Sequence, residues 1–475
     1  MKNILSAFFL FLVCGISAQD FEYTFNENEI FNEDIKTVRF HVNGLPVSLP
    51  IVDLGRQARL LLTFDDMEGD DKSYTYKIRH FNADWTPSDL SENDFSDGFT
   101  EGEIRDYDFS FNTKAIFTHY ALMLPNEDFR PAVSGNYTVT VFNTDTEEPV
   151  LTRRFVVVEP LVAVNIQTVR PSRTDKIDTH QEFDFTIQHE QLDVKRPLAE
   201  LSATVLQNGR WDNAIQGIKP RFSNNGLAEF DYQNKIIFPA GVEFRYADFR
   251  SLDFLQLGVF AVEEAEDGYD VILNKDNKRY DSGFSSYTDI NGDFIIENLD
   301  ANLGNNVGLI QTLTANNAVN NEPEPDAEQE LISRRLRTDF SNTAEDYLAE
   351  DGGTMSLVSD YANVTFSLLS PTEYYDEDVY VFGKMSDWKT KPEFKLTYND
   401  EYKAYIGNVL LKQGFHNYYY VRAPKSGSGT PDWSMTEGNW YETENEYTVI
   451  VYYRSFTGRY DRAVAAYTFA TGNGF

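Results

Sequence analysis

With 475 residues and a formal net charge of −35, the chain is long enough for about two to four domains, each with its own core. So acidic a surface repels nucleic acid and anionic lipid headgroups, which excludes both as charge-driven partners. A single cysteine, Cys14, leaves no disulfide frame, so the fold must stand on packing.

The first 18 residues predict a secretory signal peptide: Lys2, an apolar run from Ile4 to Val13, then Ser17 and Ala18 before Gln19. The run is too short to span a bilayer as a helix. Val13, not a small residue, precedes Cys14, which argues against lipid attachment there. Cleavage after Ala18 removes Lys2 and leaves 40 basic against 76 acidic side chains, a net −36. No later apolar run is long enough to cross a membrane.

Residues 19–160 predict a first domain, an immunoglobulin-like β-sandwich. SYTYKIRH sets Tyr74, Tyr76 and Ile78 on one face against Thr75, Lys77 and Arg79 on the other. GNYTVTVFN repeats the pattern with Tyr137, Val139 and Val141, and LTRRFVVVEP closes the region. Residues 161–300 predict a second β-rich domain, in which FDFTI at 183–187 alternates cleanly. DINGDFIIENL, at 289–299, carries an Asn-Gly pair that predicts a hairpin. A calcium loop is the competing reading of that stretch, but its glycine falls at loop position 4 instead of 6.

Residues 301–354 turn asparagine-rich, then acidic with two prolines, and predict a connector. Within it, TAEDYLAED could form one or two helical turns. Residues 355–475 return to strands and predict a C-terminal immunoglobulin-like, early-set β domain. The whole is all-β and multi-domain, a chain of β-sandwiches.

The densest stretch lies in the second region. Gln207, Asn208, Arg210, Trp211, Asp212 and Asn213 fall within seven residues. Phe238 and Pro239 open a turn that leads to Glu243, Phe244, Arg245, Asp248, Arg250 and Ser251. Arginines beside acids and flat aromatics suit bidentate pairing and stacking, inside a core or at a partner interface.

These residues resemble the signature of the type IX secretion system plug protein family of Bacteroidetes envelopes. QNGRWDNA stands intact at 207–214, and FPAGVEFRYADFRSL at 238–252 departs from the family's FPGGNEFRxFDxRSL at Ala240 and Val242, and also at Ala247. The departure at Ala240 bears on the turn, where the family's glycine allows a positive φ. FDDMEGDDKSYTYKIRHFNADWTPSDL is similar to the family's first-domain motif, with Phe81 where a cysteine commonly sits.

The resemblance implies a non-enzymatic protein, periplasmic and peripheral to the outer membrane. There it would close the periplasmic end of a large SprA-type translocon barrel, in alternation with a PorV-type shuttle protein. It implies no cofactor. The signature residues Gln207, Asn208, Arg210, Trp211, Asn213, Phe238, Pro239, Glu243, Phe244, Arg245, Arg250 and Ser251 would serve the core, an interface or both.

A second reading comes from the last region. VYVFGKMSDWK followed by LKQGFHNYYYV is similar to early-set modules that include glycogen binders. Trp388 and Tyr420 are the candidate sugar platform, set against the plainer reading of an ordinary buried core. That module would belong to a polysaccharide uptake system.

Catalytic and metal patterns are absent from the sequence. The six histidines form no short zinc pair, and His189-Glu190 comes nearest to one. There is no Gly-x-Ser-x-Gly elbow, phosphate loop or dinucleotide fingerprint. Asp65-Asp66 is one of many acidic pairs and says little in so acidic a chain.

Overall fold

The computed structural model describes residues 25–266, 268–301, 344–349, 351–427 and 429–471. The predicted signal peptide and all but the two ends of the predicted connector lie outside the described residues. Secondary structure is nearly all β, as the alternating patterns predict.

The first sandwich contains β1 (Glu29–Ile30), β2 (Ile35–Val42), β3 (Ile51–Asp53), β4 (Leu60–Asp66), β5 (Tyr74–Phe81), β6 (Glu101–Ile104), β7 (Asp106–Phe109), β8 (Thr118–Leu124), β9 (Gly135–Asn143) and β10 (Pro149–Val158). One sheet runs β1-β10-β9-β5-β6, with β3 parallel to β10, and the other runs β2-β4-β8-β7. Tyr74, Tyr76 and Ile78 face inward, with Tyr137, Val139 and Val141 beside them in the core. A short helix, α1 (Glu92–Phe95), links β5 to β6 and drops Phe95 into that core.

The second sandwich begins with β11 (Ala163–Val169), β12 (His180–Gln188), the turn of helix α2 (Pro197–Glu200), β13 (Leu201–Gln207), β14 (Ile215–Ile218), β15 (Phe222–Asn224), β16 (Leu227–Phe230) and β17 (Ile237–Pro239). The chain then leaves it. It builds β18 (Arg245–Asp248), β19 (Val259–Ala265), β20 (Gly268–Leu273) and β21 (Phe294–Ile296). Helices α3 (Ala344–Ala349) and α4 (Asp351–Val358) follow, then β22 (Tyr361–Leu369), β23 (Glu377–Phe382), β24 (Lys395–Asn399), β25 (Ala404–Lys412) and β26 (Gly414–Pro424). These nine strands form one sheet, β18-β26-β23-β24-β25-β22-β20-β19, with β21 also on β26. It curls so that Ala247 and Phe249 from one end share a core with Val271 and Leu273 from the other.

The last hairpin, β27 (Glu446–Tyr453) and β28 (Arg462–Ala470), returns to the second sandwich. Its sheet runs β14-β13-β27-β28 and faces β11-β12-β16-β15, with β17 on β12. The core between them holds Phe183, Phe185 and Ile187 against Leu201, Val205, Tyr447, Val449 and Val464.

The third unit is therefore inserted into the second. This corrects the expected boundaries, because residues 161–300 and 355–475 are not self-contained. Strands of the first stretch complete their sheets with strands of the second, at β13·β27, β18·β26 and β20·β22. Alternation fixes which face of a strand is apolar, and says nothing about the strand beside it.

The hairpin expected at 289–299 is also corrected. Asn291 and Gly292 do adopt the two positive φ angles of a tight turn (54° and 81°). Only the strand after the turn forms, and β21 pairs with β26 instead of a preceding neighbour. The TAEDYLAED stretch holds the short α3 helix.

Several strands are buried on both faces because the units lean on one another. On β4, Leu60, Leu62 and Phe64 enter the first core, whereas Leu61 lies with Ala121, Met123 and α3 residues Ala344, Tyr347 and Leu348. Along β9, Asn136, Thr138 and Thr140 are as buried as the apolar residues between them. Among the described residues no helix is long and apolar enough to cross a membrane.

Candidate functional site

The signature residues gather where the three sandwiches meet. Asn208 and Gly209 end β13 in a tight turn with φ of 52° and 67°. Asn208 holds the turn to the returning hairpin, donating to Asn445 Oδ1 at 2.8 Å and accepting from the Glu446 amide at 2.9 Å. A side chain at Gly209 would run into Leu49 of the first sandwich. Gln207, buried, donates to the Pro239 carbonyl at 2.9 Å and accepts from Asn213 at 3.0 Å.

From that turn, Arg210 and Trp211 reach into different neighbours. Arg210 is buried, forked onto Asp212 at 3.0 and 2.6 Å. Its guanidinium lies over Trp388, Trp433 and Phe382 of the inserted unit, 4.7, 5.1 and 5.2 Å from the ring centres. Trp211 meets Trp85 of the first sandwich edge to face, 4.9 Å between centroids, and Arg154 covers both rings. Trp85 belongs to the Asn-Ala-Asp-Trp element, so the two sequence motifs touch in space.

The second cluster is equally internal. Phe238 lies in the second core. The positive φ of the following turn falls on Gly241 (67°), not on Ala240, so alanine is tolerated at 240. Gly241 sits where a Cβ would lie 2.8 Å from Tyr419 Oη, which requires glycine at that step. Phe244 stacks on Tyr419 at 3.8 Å.

Arg245 donates to both oxygens of Glu437 (3.0 and 3.1 Å), to Asp276 at 2.6 Å and to the Asn277 carbonyl at 2.6 Å. Burial raises the Glu437 carboxyl, but Arg245 and Arg279 overcome it and hold the group below its usual range. Arg250 forks onto Asp248 at 2.8 Å and reaches Glu297 at 3.0 Å, while Ser251 donates to Asp300.

Glu243 departs from this pairing. Its buried Oε2 has no hydrogen-bond partner, and burial, then Asp289 and Glu444 nearby, push its carboxyl up to about 8. Asp289 is pushed up to about 7, chiefly by burial.

Sequence reasoning missed a second knot of charge. Asp65, His119, Lys412 and Tyr361 close together where the first sandwich meets the inserted unit. Asp65 accepts from Lys412 and His119 at 2.5 Å and from the Tyr361 hydroxyl at 2.6 Å. Tyr361 in turn accepts from Thr37 at 2.6 Å. Burial raises Asp65, but Lys412 and His119 outweigh it and hold the carboxylate low. Burial lowers both Lys412 and His119, with Asp65 opposing. The same seam carries Arg153 on Asp387 at 3.1 Å. Only the fold reveals these partners, since Asp65 and Lys412 lie 347 residues apart.

Trp388 and Tyr420 do not form a sugar platform. Tyr420 is fully buried, its hydroxyl on Asp276 at 2.9 Å, in the core of the inserted unit. Trp388 is half-buried in a separate cluster with Phe244 and Phe382. Strand β26 is buried on both faces, which takes its tyrosines out of solvent.

Metal chemistry finds little support in the arrangement. Among the described residues, Asp66, Glu68 and Asp70 bring carboxylate oxygens within 4.8 Å of one another, and the Lys72 ammonium already pairs with all three. His189 is buried and Glu190 exposed.

Comparison with curated proteins returns no match. A solved structure, described as the crystal structure of a hypothetical protein from Parabacteroides merdae ATCC 43184 at 2.30 Å resolution, is 29% identical with a TM-score of 0.78. The alignment covers 94% of this chain and 99% of that one. Residues 35–159, which comprise nearly all of the first sandwich, match the family model described as the type 9 secretion system plug protein 1st domain. That description names a plug and no reaction. The match over residues 35–159, in a chain whose two motifs meet at Trp85 and Trp211, supports a type IX secretion system plug family.

Proposed function

We propose that this chain is a non-enzymatic plug of the type IX protein secretion translocon. It sits in the periplasm against the outer membrane and closes the periplasmic mouth of the large SprA-type barrel. A PorV-type shuttle protein or cargo takes its place when secretion proceeds. The observation that carries the reading is the family match over residues 35–159. The architecture suits a stopper, since a wide, water-filled barrel leaks unless something stiff fills its mouth. Here the three sandwiches are joined by the Asp65–Lys412 and Arg153–Asp387 pairs and by the Trp85–Trp211 contact. A glycan-binding role loses its platform with Tyr420 buried.

The test is purification of a tagged full-length copy from its native outer membrane in mild detergent, with mass spectrometry of what accompanies it. The expected result is the translocon barrel in near-equal amount, without the shuttle protein. Recovery of the chain alone, or with sugar-uptake receptors, overturns the proposal.

A further inference from the structure

The second signature motif ends in a feature that neither the core nor the seams use. After Arg250 and Ser251 the chain runs through a loop into β19. In the loop Phe254, Leu255 and Leu257, and at the start of β19 Phe260, are 73, 61, 76 and 68% exposed. Four large apolar side chains held in solvent within seven residues are uncommon on a protein surface and mark a place for a partner.

The loop is not loosely held. Asp300 accepts from the Ser251 hydroxyl and from the Leu252 amide at 2.7 Å, and the Phe254 amide donates to Ser251 Oγ at 2.9 Å. The Val259 amide closes onto the Gln256 carbonyl at 3.1 Å, and the Asn274 amide donates to Gly258 at 2.8 Å. Behind them Arg250 is locked between Asp248 and Glu297. A loop already fixed in one conformation loses little freedom when a partner covers it.

Its surroundings choose the kind of partner. Asp253, Glu263, Glu264 and Glu266 are exposed around the apolar residues. Lys114, on the same side, is engaged by Glu264 and by the Ala265 carbonyl at 2.9 Å. Lys114 also ties this region to the β7–β8 turn, which exposes Phe111 and Ile116. An apolar centre inside an acidic rim repels an anionic bilayer and complements a protein pocket bordered by lysine and arginine. In addition, among the described residues β19 is the last strand of its sheet and is paired on one side only, with β20.

We infer that residues 252–260 are a docking surface for a protein pocket that is apolar at its centre and basic at its rim. On the plug reading, on which this assignment rests, that pocket lies at the periplasmic mouth of the translocon barrel. The buried Arg250–Ser251 end of the signature serves to hold the loop in its docking shape.

The experiment compares three full-length chains purified from the native outer membrane: the unaltered protein, Phe254→Ser/Leu257→Ser, and a control, Leu198→Ser/Phe222→Ser, altered at exposed apolar residues of the second sandwich. All substituted side chains are exposed, and matching thermal melts verify that both variants fold. The expected result is that barrel recovery falls about tenfold or more for the loop variant and not for the control. Raising the salt concentration should weaken recovery by the unaltered chain. Equal recovery by all three chains overturns the docking assignment and leaves the plug reading standing. No barrel with the unaltered chain overturns the plug reading and this assignment with it. If the unaltered chain floats with phosphatidylethanolamine–phosphatidylglycerol vesicles and the loop variant does not, the loop is a lipid contact and the assignment falls.

Discussion

The Lys412 ammonium lies 2.5 Å from the Asp65 carboxylate, with both side chains almost wholly out of solvent. One belongs to the inserted unit and the other to the first sandwich, so this pair is a weld between bodies that could otherwise slide. Taking both charges from water is costly, and the cost is offset only while each has its partner. Lys412→Met should therefore lower stability by about 3–5 kcal/mol by stranding Asp65. Lys412→Met combined with Asp65→Asn should recover much of that loss. A double-mutant cycle by urea denaturation measures the coupling, and additive single effects would contradict it.

The contact between Trp85 and Trp211 predicts a different kind of weakening. Trp211→Ala removes an aromatic surface that Arg154 also covers, at a cost of about 3–5 kcal/mol if the gap does not refill. Because the loss falls on a seam, the first sandwich should melt separately and earlier. Calorimetry should then show two transitions where the unaltered chain shows fewer.

Glu243 gives the chain a pH dependence of definite sign. Its folded carboxyl is pushed up to about 8 from an ordinary value of 4.5, so the folded state binds the proton more tightly than the unfolded state. The stability it contributes is fully present below pH 4.5 and is lost as pH rises toward about 8. Asp289, pushed up to about 7, acts in the same direction. Glu243→Gln should match the unaltered protein near pH 5 and exceed it near pH 9, as read from denaturation midpoints at the two pH values. A constant gap between the two proteins at every pH would contradict this.

The inserted topology makes a prediction about fragments. A chain cut before residue 444 loses β27 and β28, and with them half of the sheet that covers Phe183, Phe185 and Ile187. It should lose near-ultraviolet circular dichroism from the second sandwich. Residues 355–475 alone should fail to give a dispersed NMR spectrum, because their last hairpin pairs with β13 and β26 pairs with β18. A well-folded fragment would show that the units separate as consecutive domains.

Much of the fold was legible beforehand. Tyr74, Tyr76 and Ile78, and again Phe183, Phe185 and Ile187, alternate with polar neighbours and can satisfy that pattern only as strands with one face buried. The two motifs were visible as unusual concentrations of arginine, amide and aromatic side chains. What the alternation could not say was which strand lies beside which. Backbone hydrogen bonds are the same for every partner, so β13 reads alike whether its neighbour is β14 or β27, more than 200 residues away.

The amino-acid sequence by itself determined that this protein is a chain of β-sandwiches, strongly acidic, with its signature residues in two short runs. Only the tertiary structure decided that the third unit is inserted into the second. It also decided that Tyr420 is enclosed and that Asp65 finds Lys412. The physical reason is that local pattern selects strand and face, whereas partners across long stretches of chain are selected by the burial they complete together. For the same reason the exposed loop at 252–260 emerged only with the fold. Phe254 and Leu257 look like core residues until every core is seen to be filled without them.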